Sequence, residues 1–430
     1  MFAPIQPKTY VQMRKRAWVA SFLLMTGCQV AQAQEPVTFK ALLAQANAHY
    51  PALKSARLEK RAAIEEVEAS RRLYWPNVSA VVENTSNQPL TTASRSVLQL
   101  EQTLWDAGSI KARVAESQSV ADIQTLKAVL LQENVHLQMA SAWQNLVASS
   151  GRMDVAQRTI ERLKIYQQQM QRRVAVEASP SIDLELANSR ILQTQVENKV
   201  AQNNLQQAIT RIEQYTGRSD VAAHHAKNTL QLAFVVPPFF DQALINADWR
   251  NILEKHPSIG KAKAEIAQSQ ARLDQKKAET WPQLYARLSQ PLGPVAPGFT
   301  QGPSAFVGLR YTTSAGFANQ LQAKALATRV ASSEETVQAT FTDLRQNILA
   351  DQAEYANAAA RIHALEQAVR GTDQVLASYQ RQFQAGKKTW QDLLNAVREL
   401  AQNQYALEDA RASLQGAVHR LQIRTGQDVQ

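Results

Sequence analysis

The chain has 430 residues but only 14 glycines and 15 prolines, while Ala, Gln, Leu, Arg and Glu fill long stretches, the composition of long helices rather than of compact domains. Its net charge of +10 falls to 43 − 37 = +6 once Lys8, Arg14, Lys15 and Arg16 of an acid-free N-terminal segment are set aside, too thin a surplus to point to nucleic acid. One cysteine allows no internal disulfide, and the seven histidines, without His-Glu-x-x-His spacing, join no glycine phosphate loop or nucleophile elbow, so no metal, cofactor or enzymatic activity is expected.

Residues 1–33 read as a secretory signal peptide. Arg14-Lys15-Arg16 is its basic start, Ala17 to Thr26 its apolar run, and Ala31-Gln32-Ala33 a small-x-small cleavage site. Ten apolar residues are too few to span a bilayer. Cys28 follows Met25-Thr26-Gly27, a loose match to a lipoprotein cleavage box. The expectation is that Cys28 leaves with the signal peptide and is not lipidated.

A first structural repeat is expected over 34–217. Phe39, Leu42, Leu43, Ala46, Leu53, Ala56, Leu58, Ile64 and Val67 recur at spacings near three and four, predicting helix over 38–72. Trp75-Pro76 closes it, because proline disfavours helix at the residue before it. Alternation then predicts strands at about 77–84 and 96–105, joined by the turn-rich Asn84 to Pro89. From Asp106 no proline occurs until Pro180, and a seam through Ile123, Leu126, Leu130, Leu137, Ala140, Val147, Ile160, Leu163 and Met170 predicts one helix over about 109–175. At 1.5 Å per residue such a rod is roughly 100 Å long, which no compact domain requires. A tip at 173–181 follows, with Ser179 as cap and Pro180 at the first helical position, and a returning helix stops at Gly217.

Residues 218–240 read as a linker. Its His224-His225 pair is expected to be solvent-exposed and idle. A second repeat over 241–430 then predicts helix at about 241–280, strands at about 283–290 and 305–313, a long helix at about 316–384, a tip at 384–389 and a returning helix that Thr389 and Asp392 begin. The two halves match position by position. Pro51 to Pro76 and Pro257 to Pro282 both span 25, and Asp183-Leu184 and Thr216-Gly217 recur 209 positions on, as Asp392-Leu393 and Thr425-Gly426. A fixed long period means one structural unit used twice, and what repeats here is architecture rather than chemistry.

Four strands of roughly membrane-spanning length cannot close a barrel, and an open sheet edge is not tolerated in lipid. A barrel shared among subunits resolves this, and three chains supply twelve strands. Trp75, Trp105, Trp281 and Tyr311 stand at the strand ends nearest the helices. They suit either an aromatic girdle at the membrane interface or a plug at the helix–strand junction.

The doubled helix-strand-strand-helix-helix unit, Trp-Pro before the first strand of each copy, Gly108 and Gly316 leading into the long helices, and the tip Asp392-Leu393-Leu394-Asn395 resemble the TolC family of outer-membrane efflux and secretion channels. The resemblance spans about Gln34 to Gly426. It implies a mainly α fold with a small β part: a long α-helical coiled-coil barrel, with four strands per chain contributing to a trimeric twelve-stranded outer-membrane β-barrel. It further implies a homotrimer in outer-membrane lipid of a Gram-negative bacterium, extending into the periplasm. The expected function is a passive exit duct, with a periplasmic adaptor (membrane fusion) protein and an inner-membrane pump or ABC exporter as partners. Multidrug efflux and type I secretion stay open, and a soluble periplasmic coiled-coil scaffold is the alternative.

The resemblance also places a periplasmic gate at Asp392, Asn395, Asp183 and Lys388. Asn395 stands where the family carries a second aspartate, and Lys388 where it carries an arginine, with loss of the bidentate fork. Three carboxylates around one axis concentrate negative potential and favour cations. Without the family, Asp392 reads simply as a helix cap and Asp183 as a charge at a helix start. The adaptor-docking tips implied are Val174, Ala175 and Val176 in the first repeat and Ala385, Gly386 and Lys387 in the second. Lipidated members of the family usually carry a long arm after the modified cysteine; the short stretch between Cys28 and Phe39 leaves no room for one.

Overall fold

The computed structural model describes residues 37–86, 92–232, 249–292, 302–312, 316 and 318–426. The expected signal peptide, Cys28 and the start of the second repeat at 241–248 lie outside them.

Helix α1 (Phe39–His49) begins where the Thr38 hydroxyl accepts the Ala41 amide, and α2 (Pro51–Arg71) follows after one residue. The single run expected over 38–72 is therefore two helices. Tyr50 precedes proline and takes an extended ψ of 120°, as residues before proline do. The same device recurs at His256, ψ 139°, between α6 (Trp249–Lys255) and α7 (Pro257–Ala278). After α2, a 3₁₀ turn at Arg72–Tyr74 leads into β1 (Asn77–Ser86) and β2 (Thr92–Trp105). In the second repeat α7 leads into β3 (Gln283–Leu292) and β4 (Ser304–Arg310). Strand β4 stops short of the expected 313: Tyr311 and Thr312 are already outside the sheet. The four strands form one antiparallel sheet in the order β1-β2-β3-β4.

The long helices α3 (Ser109–Ala175) and α8 (Ala318–Gln384) each have 67 residues, and the returning helices α4 (Ser181–Thr216) and α9 (Trp390–Thr425) each have 36, so the duplication holds to the residue. Pro180 is the N-cap of α4 and not its first helical residue, because its ψ of 148° is extended and the helix starts at Ser181. The stretch read as a linker holds a further helix, α5 (Val221–Ala226), and Leu230 bridges to Val37.

The helices lie side by side in one layer. In the half nearest the sheet the order is α2-α3-α7-α8, marked by Ser70–Ser117 (2.6 Å), Arg272–Glu116 (2.6 Å) and Ser269–Ser333 (3.2 Å). In the far half it is α4-α3-α9-α8, marked by Gln167–Asn188, Arg152–Asp409 and Arg411–Glu366. Gly151, the one glycine inside α3, faces α9, where an added Cβ would stand 2.9 Å from Glu408 Cβ. The core is divided along the rod. One cluster joins α1, α3 and α4 around Met139, Trp143 and Ile212; another joins α6 to α9 around Ile259, Ile348 and Leu421; a third fills the tips.

Two surfaces follow from this layering. One lateral flank consists of β1, α2 and α4, the other of β4 and α8. Short helices pack on both, α1 and α5 on α4 and α6 on α8, but among the described residues neither flank has a partner strand or long helix beyond it.

Candidate functional site

The tip of the long helices is where all four far-half helices converge. Each hairpin reverses through a left-handed residue, Glu177 at φ +59° and Gly386 at φ +70°. The hydrogen bonds repeat as well, Ala178 N to Arg173 O and Lys387 N to Gln382 O, both 2.8 Å. Ala175, Val176, Ala385, Gly386 and Lys387 are exposed, while Val174 is half-buried against the tip cluster.

Trp390, 4% exposed, ties the two tips together. Its indole N–H donates to the Asp183 carbonyl at 2.8 Å, and its ring packs against Phe383 at 5.4 Å and edge-on against Tyr166 at 6.3 Å. A Tyr166–Gln380 hydrogen bond of 3.3 Å and Arg173 stacked on Phe383 at 5.0 Å complete the contact between α3 and α8. Asp183 thus enters through its backbone. Asp392 closes a capping box with Thr389, and the Thr389 hydroxyl and amide hold its carboxyl below the ordinary carboxylate range. Lys388 places its Nζ 4.4 Å from the Tyr379 ring centre, and no ion pair within the described chain joins it to Asp183 or Asp392. Asn395 is half-buried one turn along α9. Trp390 was not among the expected gate residues; its signal was the contrast with Ser181, which holds its place in the first repeat (181 + 209 = 390).

At the other end the sheet has two unlike faces. Register puts Val78, Ala80 and Val82 alongside Leu98 and Leu100, then Leu284, Ala286 and Leu288, then Val307 and Leu309. This apolar face is open, with Val82 68% and Leu309 67% exposed, and among the described residues no helix lies across it. Glu101, Arg287 and Arg310 fall on the opposite face. There Glu101 bonds Arg287 (2.8 Å from Nε) and Arg310 (3.1 Å from Nη2) across three strands. Trp75 is 75% and Trp281 60% exposed, and Trp105 and Tyr311 are also on the surface, so none of the four fills the helix–strand junction. Among the described residues no helix is long and apolar enough to cross a membrane.

The histidine pair at the head of the far half departs from expectation. His224 is buried, its Nδ1 2.8 Å from the Thr229 hydroxyl and its Nε2 3.0 Å from Arg218, which also grips Asp220 and holds that carboxyl down at about 2. His225 meets the Ser150 hydroxyl at 3.0 Å, and burial lowers its pKa. His224 is thus buried and His225 half-buried against the rod, where both hold α5 in place.

Residues 249–427 match the family profile described as Outer membrane efflux protein. No curated protein sequence matches the chain. Among solved structures, a membrane protein from Pseudomonas aeruginosa superposes with a TM-score of 0.79 at 17% identity, covering 90% of both chains. The outer membrane protein VceC from Vibrio cholerae gives 0.77 at 16%, covering 90% of this chain and 96% of its own. The Campylobacter jejuni CmeC outer membrane channel gives 0.77 at 13%, covering 90% and 85%. Such identities establish a common fold. The second repeat thus resembles the outer membrane efflux protein family, and the whole chain shares the fold of these outer-membrane proteins.

Proposed function

We propose that three copies of this chain form a passive duct through the outer membrane of a Gram-negative bacterium and across the periplasm, serving a tripartite efflux pump or a type I secretion system. The observation that carries this reading is the pair of flanks with no strand or long helix beyond them among the described residues. A flank of β1, α2 and α4 on one side and of β4 and α8 on the other suits a head-to-tail interface, and such an interface closes into a ring when the rotation allows. Twelve strands then close without an edge, apolar face to lipid and charged face to the lumen. Burying each large apolar side chain of the outer face is worth about 1.5–3 kcal/mol, which a water-facing scaffold would forgo.

In this reading the tips form the periplasmic mouth, with Trp390 holding the second-repeat hairpin against the first. Val174, Ala175, Val176, Ala385, Gly386 and Lys387 form the surface that meets a periplasmic adaptor, which links the duct to an inner-membrane pump or ABC exporter. Asp392, Asp183 and Lys388 sit close enough to the tips to meet neighbouring copies, and Asn395 lowers the negative charge around the axis.

The mature protein in detergent should run as a trimer and stay with outer membranes after carbonate washing. A folded monomer released by the wash would replace the duct with a periplasmic scaffold. In planar bilayers, Asp392→Asn should weaken block by trivalent cations applied from the tip side. Since Asn caps a helix nearly as well as Asp, unchanged block would restrict Asp392 to the cap seen in one chain.

A further inference from the structure

The charged face of the sheet carries a cluster that neither lipid contact nor gating uses. Arg287 and Arg310 both bond Glu101, and both guanidinium groups lie on aromatic rings: Arg287 at 5.1 Å from Tyr285 and 5.4 Å from Phe306, Arg310 at 4.5 Å from Tyr285. Tyr285 and Phe306 meet edge-on at 6.4 Å. Stacking of this kind holds a guanidinium in place while leaving outward N–H donors free to bind. Within the cluster two cations face one carboxylate. The excess is 2 − 1 = +1 per chain. Register sets the cluster in the helix-proximal half of the sheet, since Arg310 pairs with Gln283 at the start of β3 and Glu101 with Asn77 at the start of β1.

We propose that Arg287 and Arg310, braced by Glu101, Tyr285 and Phe306, form a cationic belt on the lumenal wall at the base of the barrel that favours anionic solutes bearing carboxylate or sulfonate groups. The belt rests on the channel reading above. Around a threefold axis the excess becomes three positive charges in one ring, and rings of arginine favour anions where the wall has low dielectric. Arg310, the more exposed of the two and held by a single 3.1 Å bond, is the group that reaches furthest into the lumen.

The test is the reversal potential of the reconstituted full chain across planar bilayers in a KCl gradient, repeated with chloride replaced by benzoate. Arg310→Gln should lower the permeability of both anions relative to potassium by ~2-fold or more, and Glu101→Gln should raise it. Arg310→Lys should keep the chloride value, since it keeps the charge. Cross-strand pairs that only fix register would change thermal stability and leave the potential alone. Wild-type reversal potentials in Arg310→Gln and Glu101→Gln channels of normal conductance would overturn the belt and leave the duct standing. Should Glu101→Gln fail to assemble, Arg310→Gln alone decides. A wild-type protein that forms no channel overturns the duct, and the belt with it.

Discussion

The two repeats trace the same backbone and solve different problems with it. Helix α3 buries 18 residues and its counterpart α8 only 6, because α3 lies inside the helical layer while α8 forms its flank. The returning helices reverse this, with α9 burying 17 residues and α4 nine. Positions 209 apart have diverged accordingly. Ala142 and Tyr215 of the first repeat lie in an apolar region where Tyr215 meets Tyr50 edge-on at 5.0 Å. Their counterparts are Asp351 (142 + 209) and Arg424 (215 + 209). Asp351 is buried and takes Arg420 at 2.7 Å and Arg424 at 2.9 Å, while Arg420 also reaches Glu354 and, on α3, Gln144. One backbone thus accepts an aromatic or an ionic filling at the same level, provided each polar group finds its partner.

The sharpest way to break that contrast is Asp351→Ala, which strands Arg424 and leaves Arg420 only Glu354 and Gln144. A loss of about 3–5 kcal/mol is expected in denaturant unfolding of the detergent-solubilised protein. Adding Arg424→Tyr to copy the first repeat should restore part of it. A near-neutral single variant would show that the ionic filling contributes nothing beyond its apolar twin.

The tips offer the next test. Trp390→Ala opens a cavity in the tip cluster worth about 3–5 kcal/mol locally, and Trp390→Phe removes the bond to the Asp183 carbonyl, worth about 1 kcal/mol, with a smaller loss of buried ring volume. Both should raise the frequency of open-channel events, Ala more than Phe, whereas Ser181→Ala at the matching place should be silent. Equal traces for all three would detach Trp390 from closure.

His419 stands where the first repeat has Thr210 (210 + 209). It packs on Phe39 at 4.4 Å, and burial first, with Arg420 nearby, holds its imidazole down at about 4 against a hydrogen bond with Gln422. The folded state therefore refuses a proton that the unfolded chain accepts below about pH 6.5. Stability should fall by about 2 kcal/mol between pH 7 and 5 and level off near the folded pKa. His419→Thr should flatten that part of the pH profile; an unchanged slope would assign it to other groups.

The smallest effect lies at Glu177, the non-glycine twin of Gly386 (177 + 209). Glu177→Gly should relieve left-handed strain and stabilise the first tip by about 0.5–1 kcal/mol, and Gly386→Ala should cost about 1 kcal/mol at the second. Equal and null effects on thermal unfolding would mean the two turns tolerate side chains alike.

Much of this was legible in the residues. Proline-free spans bounded the 67-residue helices, Pro51 and Pro257 marked where the near-half helices start, and strand alternation set which side chains share a face. These are local effects: a missing N–H, a fixed φ, a period of two. Even the reading of residues 38–72 as one helix missed only the extended residue that precedes a proline. Tertiary structure alone decided the partners. Glu101 and Arg310 are 209 residues apart, Gln144 and Arg420 276, and Trp390 reaches Asp183 across 207. Periodicity tells which face a side chain occupies but not what stands opposite, because that depends on strand order and on which helices sit inside the layer. The His224-His225 pair shows the same limit, since nothing local signals that α5 folds back against Ser150, burying His224 and half-burying His225.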